Sequence, residues 1–227
     1  MRWIDQYELF LFDLDGLLVN TEMIHHRAYV AMCKARGYEL SITFDEYFAI
    51  AQSDAKGPEN FIYKTFPKLQ KEEPNWKVLY AEKKRAFLDI LQKESAPLLE
   101  GVETILKALE RANKKRCVVT HSPKELVDLL RKQNPILHSI PNWITREDYT
   151  HPKPHPDGYL LAIERFAEKE DRIIGFEDSS RGMRALMATR ATPILVNSID
   201  VETRALFDKE GVKTFRTLQE LINRNTL

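Results

Sequence analysis

The chain has 227 residues, of which 43% are hydrophobic and 30% are charged, enough apolar side chains for one elaborate domain or two modest ones. Its 34 basic and 34 acidic residues balance, so the chain lacks the excess positive charge typical of proteins that bind nucleic acid. No long uncharged apolar segment predicts a membrane span. The distant Cys33 and Cys117 predict buried thiols in the reducing cytoplasm rather than a disulfide framework.

The first predicted element is an apolar run, Leu9 to Phe12, that leads directly into Asp13-Leu14-Asp15-Gly16. If the strand continues through these acids, Asp13 and Asp15 share one of its faces. Near-continuous apolar strands are typical of buried parallel sheets, which collect ligands at the carboxyl ends of their strands. A hairpin turn at Asp15-Gly16 is the alternative, although it leaves the acid at position 13 unexplained.

Residues 21–96 show helical patterns and almost no strand pattern. The predicted helices are Met23 to Arg36, Phe44 to Ala51, Glu59 to Thr65 and Asn75 to Lys93, with Gly37 ending the first of them. A lysine- and glutamate-rich connection is expected between Pro67 and Pro74. This change of composition predicts a helical module, residues 21–96, inserted after the first strand.

From Pro97 onward, predicted strands alternate with predicted helices, which indicates an α/β fold with a parallel sheet covered on both faces. The strands are expected at residues 116–120, 143–144, 172–176 and 193–196. Ser122-Pro123-Lys124-Glu125 predicts a helix start, with serine as the cap and proline at the first helical position. Thr217-Leu218-Gln219-Glu220 predicts a second capping box, which opens the last helix.

Three predicted strands end in polar residues, which a parallel sheet places at one common edge. These residues are Asp13 and Asp15, then Thr120, His121 and Ser122, and finally Glu177 and Asp178. Because several carboxylates at one edge repel one another, we expect a cation there, and hard oxygen ligands suit Mg²⁺. The metal, the Thr120 hydroxyl and the start of the following helix are then expected to attract a phosphate. Lys153, between two prolines, can supply further positive charge.

These motifs resemble those of the haloacid dehalogenase superfamily of phosphohydrolases. Asp13-Leu14-Asp15-Gly16 is similar to the first motif, Thr120 after its strand to the second and Lys153 in its proline-rich loop to the third. Gly175-Phe176-Glu177-Asp178-Ser179 with Gly182 is similar to the fourth. The resemblance implies a Rossmann-like catalytic core, residues 1–20 and 97–227, and a helical cap, residues 21–96. The cap lies where β-phosphoglucomutase-like and phosphatase-like members carry theirs.

The resemblance also implies roles for the acidic residues. Asp13 is expected to be the nucleophile that forms an aspartyl-phosphate, and Asp15 the general acid and base. The expected Mg²⁺ ligands are Asp13, the main-chain carbonyl of Asp15, and Asp178, with Glu177 beside them. Thr120, Lys153 and the neighbouring His121 are expected around the phosphoryl group; His121 has the alternative of filling the rim of the site.

In the cap, the resemblance points to His25 as a substrate contact, twelve residues after Asp13. Lys56 is a second candidate, for the distal end of a substrate. The alternatives are a polar histidine on an exposed helix face and a solvated loop lysine. The segment Ala51-Gln52-Ser53-Asp54-Ala55-Lys56 lacks the glycine and arginine typical of the mutases, which favours hydrolysis over mutase activity.

The sequence therefore predicts a monomeric, Mg²⁺-dependent phosphatase of a small phosphorylated metabolite. A sugar-phosphate mutase is the alternative within the enzymes. A non-catalytic protein that binds a phosphorylated ligand is the alternative outside them, and the complete set of acids argues against it.

Overall fold

The computed structural model describes residues 1–53, 56–199 and 201–224. The chain divides into two compact units, one made of residues 1–20 with 97–227 and the other of residues 21–96. None of the helices found among the described residues is long and apolar enough to cross a membrane. Both cysteines are buried and unpaired with each other, as the sequence predicts.

The first unit is built on a six-stranded sheet in which every neighbouring pair of strands is parallel. Its strands are β1 (Leu9–Phe12), β2 (Lys115–Val119), β3 (Asn142–Ile144), β4 (Ile173–Glu177), β5 (Thr192–Val196) and β6 (Lys213–Phe215). Their order is β3-β2-β1-β4-β5-β6, so β1 lies between β2 and β4 in the middle of the sheet. The predicted α/β fold with a parallel sheet is confirmed.

Every helix or strand among the described residues of the second unit is a helix. It contains α1 (Glu22–Ala35), α2 (Phe44–Ser53), α3 (Gly57–Thr65), α4 (Pro67–Glu72) and α5 (Trp76–Lys93). Helices α1 and α5 form its main packed pair, and Met32, Cys33, Ile62 and Leu79 lie in its core. The connection expected between Pro67 and Pro74 is instead the short helix α4. There Pro67 occupies the first turn, where its missing N–H costs nothing, and Leu69 is buried.

Helices complete the first unit. They are α6 (Val102–Arg111), α7 (Lys124–Gln133), α8 (Asp157–Phe166), α9 (Ser180–Met187), α10 (Val201–Lys209) and α11 (Leu218–Arg224). Sequence patterns miss α10 and β6, because each is short and buries only one residue, Phe207 and Phe215 respectively. One of the two hydrogen bonds of the predicted capping box of α11 is present: the Glu220 N–H donates to Thr217 Oγ1 at 3.1 Å.

The two faces of β1 pack into different parts of the core. Leu9 and Leu11 join Cys117, Val119 and Tyr159 in one cluster. Phe10 and Phe12 point the other way; the Phe12 ring stacks on Phe176 with centroids 5.0 Å apart. All four residues of β1 are fully buried. The strand therefore holds whatever follows Phe12 in a fixed position at the edge of the sheet.

Strand β1 ends at Phe12, and the chain turns at Gly16, which has a φ of +82°, so the condition under which the two acids share a strand face is not met. The predicted start of α7 is wrong. Helix α7 begins at Lys124 with Pro123 as its N-cap and no side-chain cap. Ser122 is not the cap, because its hydroxyl is hydrogen-bonded to Asp15 instead.

Candidate active site

The predicted site residues of the first unit follow three adjacent strands. Asp13 follows β1, Thr120 follows β2 and Asp178 follows β4. Backbone hydrogen bonds extend the sheet by one residue here: the Asp13 N–H donates to Phe176 O at 3.0 Å and the Thr120 N–H to Ile144 O at 2.9 Å. The parallel sheet therefore delivers all three side chains to the same edge, where its carboxyl ends lie.

Three carboxylates meet at this edge. Asp13, Glu177 and Asp178 are buried, and each offers an oxygen within 4.8 Å of the oxygens of the other two. Gly16 makes this approach possible, since a Cβ at that position would lie 2.2 Å from Asp178 Oδ2. Gly182, in the first turn of α9, leaves room for the Glu177 carboxylate in the same way.

Lys153 reaches into the carboxylate group from its proline-rich loop. Its Nζ donates to Asp13 Oδ1 at 2.5 Å, to Glu177 Oε1 at 2.6 Å and to the backbone oxygen of Val119 at 3.0 Å. The Tyr159 hydroxyl also donates to Glu177 Oε1, at 2.5 Å. Glu177 is thus held between a lysine and a tyrosine, and its Oε1 anchors the loop that carries Lys153.

The charges at this edge do not balance. Burial raises the pKa of the Asp13 carboxyl to about 8, with the Lys153 ammonium opposing the shift and the Glu177 and Asp15 carboxylates adding to it. Burial alone would lower the pKa of Lys153, but Asp13 and Glu177 outweigh it and raise that pKa. One lysine therefore leaves the three carboxylates short of positive charge, and a divalent cation held by oxygen ligands fits this donor set.

Asp15 belongs to a separate network of hydroxyl groups. Its Oδ2 accepts from Ser122 Oγ at 2.6 Å and from Thr120 Oγ1 at 3.2 Å. The Ser122 N–H in turn donates to Thr120 Oγ1 at 2.9 Å. These bonds turn the Asp15 carboxylate toward β2 and link it to the residues that follow that strand.

His121 lies at the exposed rim of this network. Its ring meets Tyr149 edge-on, with centroids 6.2 Å apart, and the Tyr149 hydroxyl donates to the Thr120 carbonyl at 3.0 Å. Local desolvation, followed by the positive charges of Lys153 and Arg146, lowers the pKa of His121 to about 4. The imidazole is therefore neutral near pH 7, although much of its surface faces solvent.

The two predicted cap residues lie in the helical unit and differ in burial. His25 is in α1, where its ring stacks on Phe87 at 4.3 Å between centroids and its Nδ1 lies 2.6 Å from Lys83 Nζ. Burial, and then the Lys83 charge, lowers the pKa of His25 well below its usual value. Lys56 is exposed beside the start of α3. Asp54 and Ala55, part of the segment that argued against a mutase, lie outside the described residues.

Three residues of these networks have no predicted role in the site. The sequence places Ser122 at the common edge but predicts only a helix cap for its side chain, whereas the hydroxyl donates to Asp15. Periodicity is the signal that could have found the other two: Lys83 lies four residues after Leu79 and four before Phe87, and Tyr159 three residues before Ala162, each on the buried face of its helix. Lys83 is only 4% exposed and lies over the Tyr29 ring, 4.9 Å from its centroid.

A family model described as haloacid dehalogenase-like hydrolase matches residues 10–196, most of the chain and all of the strand-end residues. The chain belongs to the haloacid dehalogenase-like hydrolases. The predicted family and the prediction that the chain is an enzyme are thereby confirmed.

Similar proteins cover nearly the whole chain. It is 25% identical to a phosphorylated carbohydrates phosphatase of Thermotoga maritima, over 95% of this chain and 97% of the relative. It is 27% identical to a probable pseudouridine-5'-phosphatase of Drosophila melanogaster, over 82% and 80% of the two chains. The structure of the CbbY protein from Rhodobacter sphaeroides, in complex with phosphate, shares the fold with a TM-score of 0.74 at 23% identity, over 95% and 96% of the two chains.

Proposed function

We propose that this haloacid dehalogenase-like hydrolase is a Mg²⁺-dependent phosphatase that removes phosphate from a small phosphorylated metabolite through an aspartyl-phosphate on Asp13. The buried pair of Asp13 and Lys153 is the observation that carries the proposal. A carboxylate fixed by β1 and touched by an ammonium group is arranged to attack an anionic phosphoryl group, whose charge Lys153 offsets.

The metal would be held by Asp13 and Asp178, with the Asp15 main-chain carbonyl as a further ligand and Glu177 beside them. Bound there, Mg²⁺ would supply the positive charge that offsets repulsion between the attacking carboxylate and the phosphoryl oxygens. Lys153 and Thr120 would hold those oxygens, and His121, neutral at the rim, would contact the substrate next to them.

The reaction takes two steps on the chain's own carboxylates. Asp13 attacks phosphorus, a bond forms between its oxygen and the phosphoryl group, and the bond to the ester oxygen breaks as Asp15 donates it a proton. Asp15 then takes a proton from water, whose oxygen attacks the aspartyl-phosphate and releases inorganic phosphate from Asp13. The hydrogen bonds from Ser122 and Thr120 orient Asp15 for both transfers.

The names of two similar proteins support a small phosphorylated metabolite as the substrate. The similar proteins of Thermotoga maritima and Drosophila melanogaster are named for a phosphorylated carbohydrate and for pseudouridine 5'-phosphate. In this proposal residues 21–96 form the cap, where His25 and Lys56 contact the part of the substrate that varies.

Phosphate release from a panel of sugar, nucleoside and glycolate phosphates tests the proposal, with Mg²⁺ and with EDTA. We expect Mg²⁺-dependent turnover by the native chain and none above background by Asp13→Asn. Asp128→Asn, which changes an exposed acid in α7, is the matched control and should keep full activity. When the unmutated enzyme is denatured during turnover, the peptide that contains Asp13 should carry one phosphoryl group. Turnover that survives in Asp13→Asn would overturn the proposed mechanism.

A further inference from the structure

The loop that carries Lys153 holds a second group of metal-ligand side chains, distinct from the buried carboxylates. His151, His155 and Asp157 each offer a nitrogen or oxygen atom within 4.8 Å of those of the other two. The side chains of His151 and His155 are 63% and 52% exposed, so solutes reach them from solvent. This group, the HHD cluster, takes no part in the proposed phosphatase reaction.

A single carboxylate joins the two imidazoles of the HHD cluster. Nδ1 of His151 lies 2.8 Å from Asp157 Oδ2, and Nδ1 of His155 lies 2.7 Å from Asp157 Oδ1. The two rings lie side by side, with centroids 4.7 Å apart. Ligand atoms bound at about 2.0–2.1 Å to one metal ion are separated by about 3 Å, close to these nitrogen–oxygen distances. A metal ion can therefore replace the protons between the imidazoles and the carboxylate with only a small displacement of the side chains.

Prolines and hydrogen bonds fix the conformation of the loop without a ligand. Pro152, Pro154 and Pro156 each fix one backbone φ in the segment from 151 to 157. The His155 N–H donates to the Pro152 carbonyl at 2.9 Å, and the His151 N–H donates to Asp157 Oδ2 at 2.9 Å. A cluster held in this way loses little conformational entropy on binding, which favours affinity.

We propose that the HHD cluster binds a divalent transition-metal ion, of which Zn²⁺ is the representative. Two imidazole nitrogens and one carboxylate oxygen are the ligand set that suits zinc, nickel and copper, whereas Mg²⁺ prefers oxygen alone. With three protein ligands at the surface, solvent water completes the coordination. The site is thus separated by ligand chemistry from the carboxylates Asp13, Glu177 and Asp178.

Binding at the HHD cluster has a structural consequence for Lys153, which lies between the two histidines in the sequence. The metal joins residues 151, 155 and 157, so it closes the loop whose Lys153 contacts Asp13 and Glu177. We expect Zn²⁺ to raise the melting temperature, since a ligand that binds only the folded chain stabilises it.

Equilibrium dialysis of the full chain without a histidine tag tests this inference, with Zn²⁺ as the probe and Mg²⁺ in excess to occupy the carboxylates. The double variant His151→Gln/His155→Gln should bind one zinc ion fewer per chain than the native protein. His138→Gln, which removes another exposed histidine of the same unit, should bind as much as the native protein. Equal zinc content in the native protein and the double variant would overturn the proposal.

Imidazole NMR signals of the native protein provide a second measurement that does not depend on a variant folding. Titration with Zn²⁺ in excess Mg²⁺ should shift or broaden the signals of His151 and His155 and leave those of His138 unchanged. Shifts absent from both loop histidines would contradict the site. Because neither measurement involves turnover, the zinc site and the proposed phosphatase activity succeed or fail separately.

Discussion

At the scale of single residues, the buried carboxyl of Asp13 lowers the stability of the folded chain near neutral pH. Its carboxyl is buried beside two other acids, which raises its pKa from 3.8 to about 8 in the absence of a metal. Between about pH 4 and pH 8 the folded chain keeps a proton on Asp13 that the unfolded chain releases. Stability from this group is therefore lost as the pH rises through that window.

The first prediction follows from this loss of stability with rising pH. In EDTA near pH 7.5, Asp13→Asn should melt at a higher temperature than the native chain, because asparagine cannot ionise. The difference should shrink as the pH falls toward about 4, below which Asp13 becomes protonated in the unfolded chain as well as in the folded chain. Mg²⁺ should also reduce it, since the cation stabilises the native carboxylate more than the amide. Melting curves over a pH series measure this, and a variant less stable than the native chain in EDTA at every pH would contradict it.

Asp15 supports a second prediction about its hydroxyl partners. Ser122→Ala removes a 2.6 Å hydrogen bond to the Asp15 carboxylate but leaves the proton donor itself in place. A hydrogen bond to a charged group contributes about 1.5–3 kcal/mol, so we expect kcat to fall roughly tenfold or more with KM little changed. Asp15→Asn, which removes the proton donor, should lower kcat by about 10²–10⁴.

Steady-state kinetics on a substrate found in the panel measures both changes. Ser41→Ala, an exposed serine in the helical unit, serves as the control for Ser122→Ala and should leave kcat and KM at native values. A rise in KM with native kcat in Ser122→Ala would mean that this hydroxyl contacts the substrate rather than orienting Asp15.

At the scale of elements, the turn after β1 depends on a glycine for two separate reasons. Gly16 has a φ of +82°, and a Cβ there would meet the Asp178 carboxylate at 2.2 Å. Gly37, after α1, has the same φ of +82° but nothing within 4 Å of the place of a Cβ. The two positions therefore separate backbone strain from crowding at the carboxylate edge.

The third prediction compares alanine at these two glycines. Gly37→Ala should cost about 1–2 kcal/mol of stability from the left-handed conformation and keep full activity. Gly16→Ala should cost more than that and abolish Mg²⁺-dependent turnover, since Asp178 has to move. Urea unfolding with parallel assays of phosphate release tests the pair. Similar stability and activity in both variants would show that the approach of Asp178 to Gly16 does not matter.

At the scale of the whole molecule, each of the two units has a hydrophobic core of its own. Leu79 lies in the core of residues 21–96, with Met32 and Cys33, whereas Leu11 lies in the core around the sheet, with Val119 and Tyr159. Both leucines are fully buried. The residues that fill one core are thus different from those that fill the other.

The fourth prediction uses this separation. Leu79→Ala and Leu11→Ala should each cost about 2–5 kcal/mol in the unit that loses the side chain. Native-state hydrogen exchange should show faster exchange in α1 and α5 for Leu79→Ala, with β1 and β4 still protected. Leu11→Ala should instead weaken protection in β1 and its neighbours. Equal loss of protection in both units for either variant would indicate a single cooperative core.

Much of the fold and part of the site follow from local patterns. The apolar run at β1, the helical periodicity of residues 21–96 and the later alternation of strands and helices predict a parallel sheet with an inserted helical module. Because parallel strands place their carboxyl ends at one edge, the sequence predicts that the acids after β1 and β4 lie at the same edge of the sheet. Short elements such as α4 and β6 are not, since few buried residues define them.

Local patterns suffice to predict that Asp13, Glu177 and Asp178 lie at one edge of the sheet, because apolar strands that alternate with helices indicate parallel strands. The order of the strands, which sets β1 beside β4, does not follow from those patterns. Only the tertiary structure decided which partner each side chain takes. It directs Ser122 to Asp15 rather than to the end of α7, joins Lys153 and Tyr159 on Glu177, and joins His151 and His155 on Asp157. Such pairings depend on turns, on the space beside glycines and on side-chain direction, and a spacing along the chain encodes none of these.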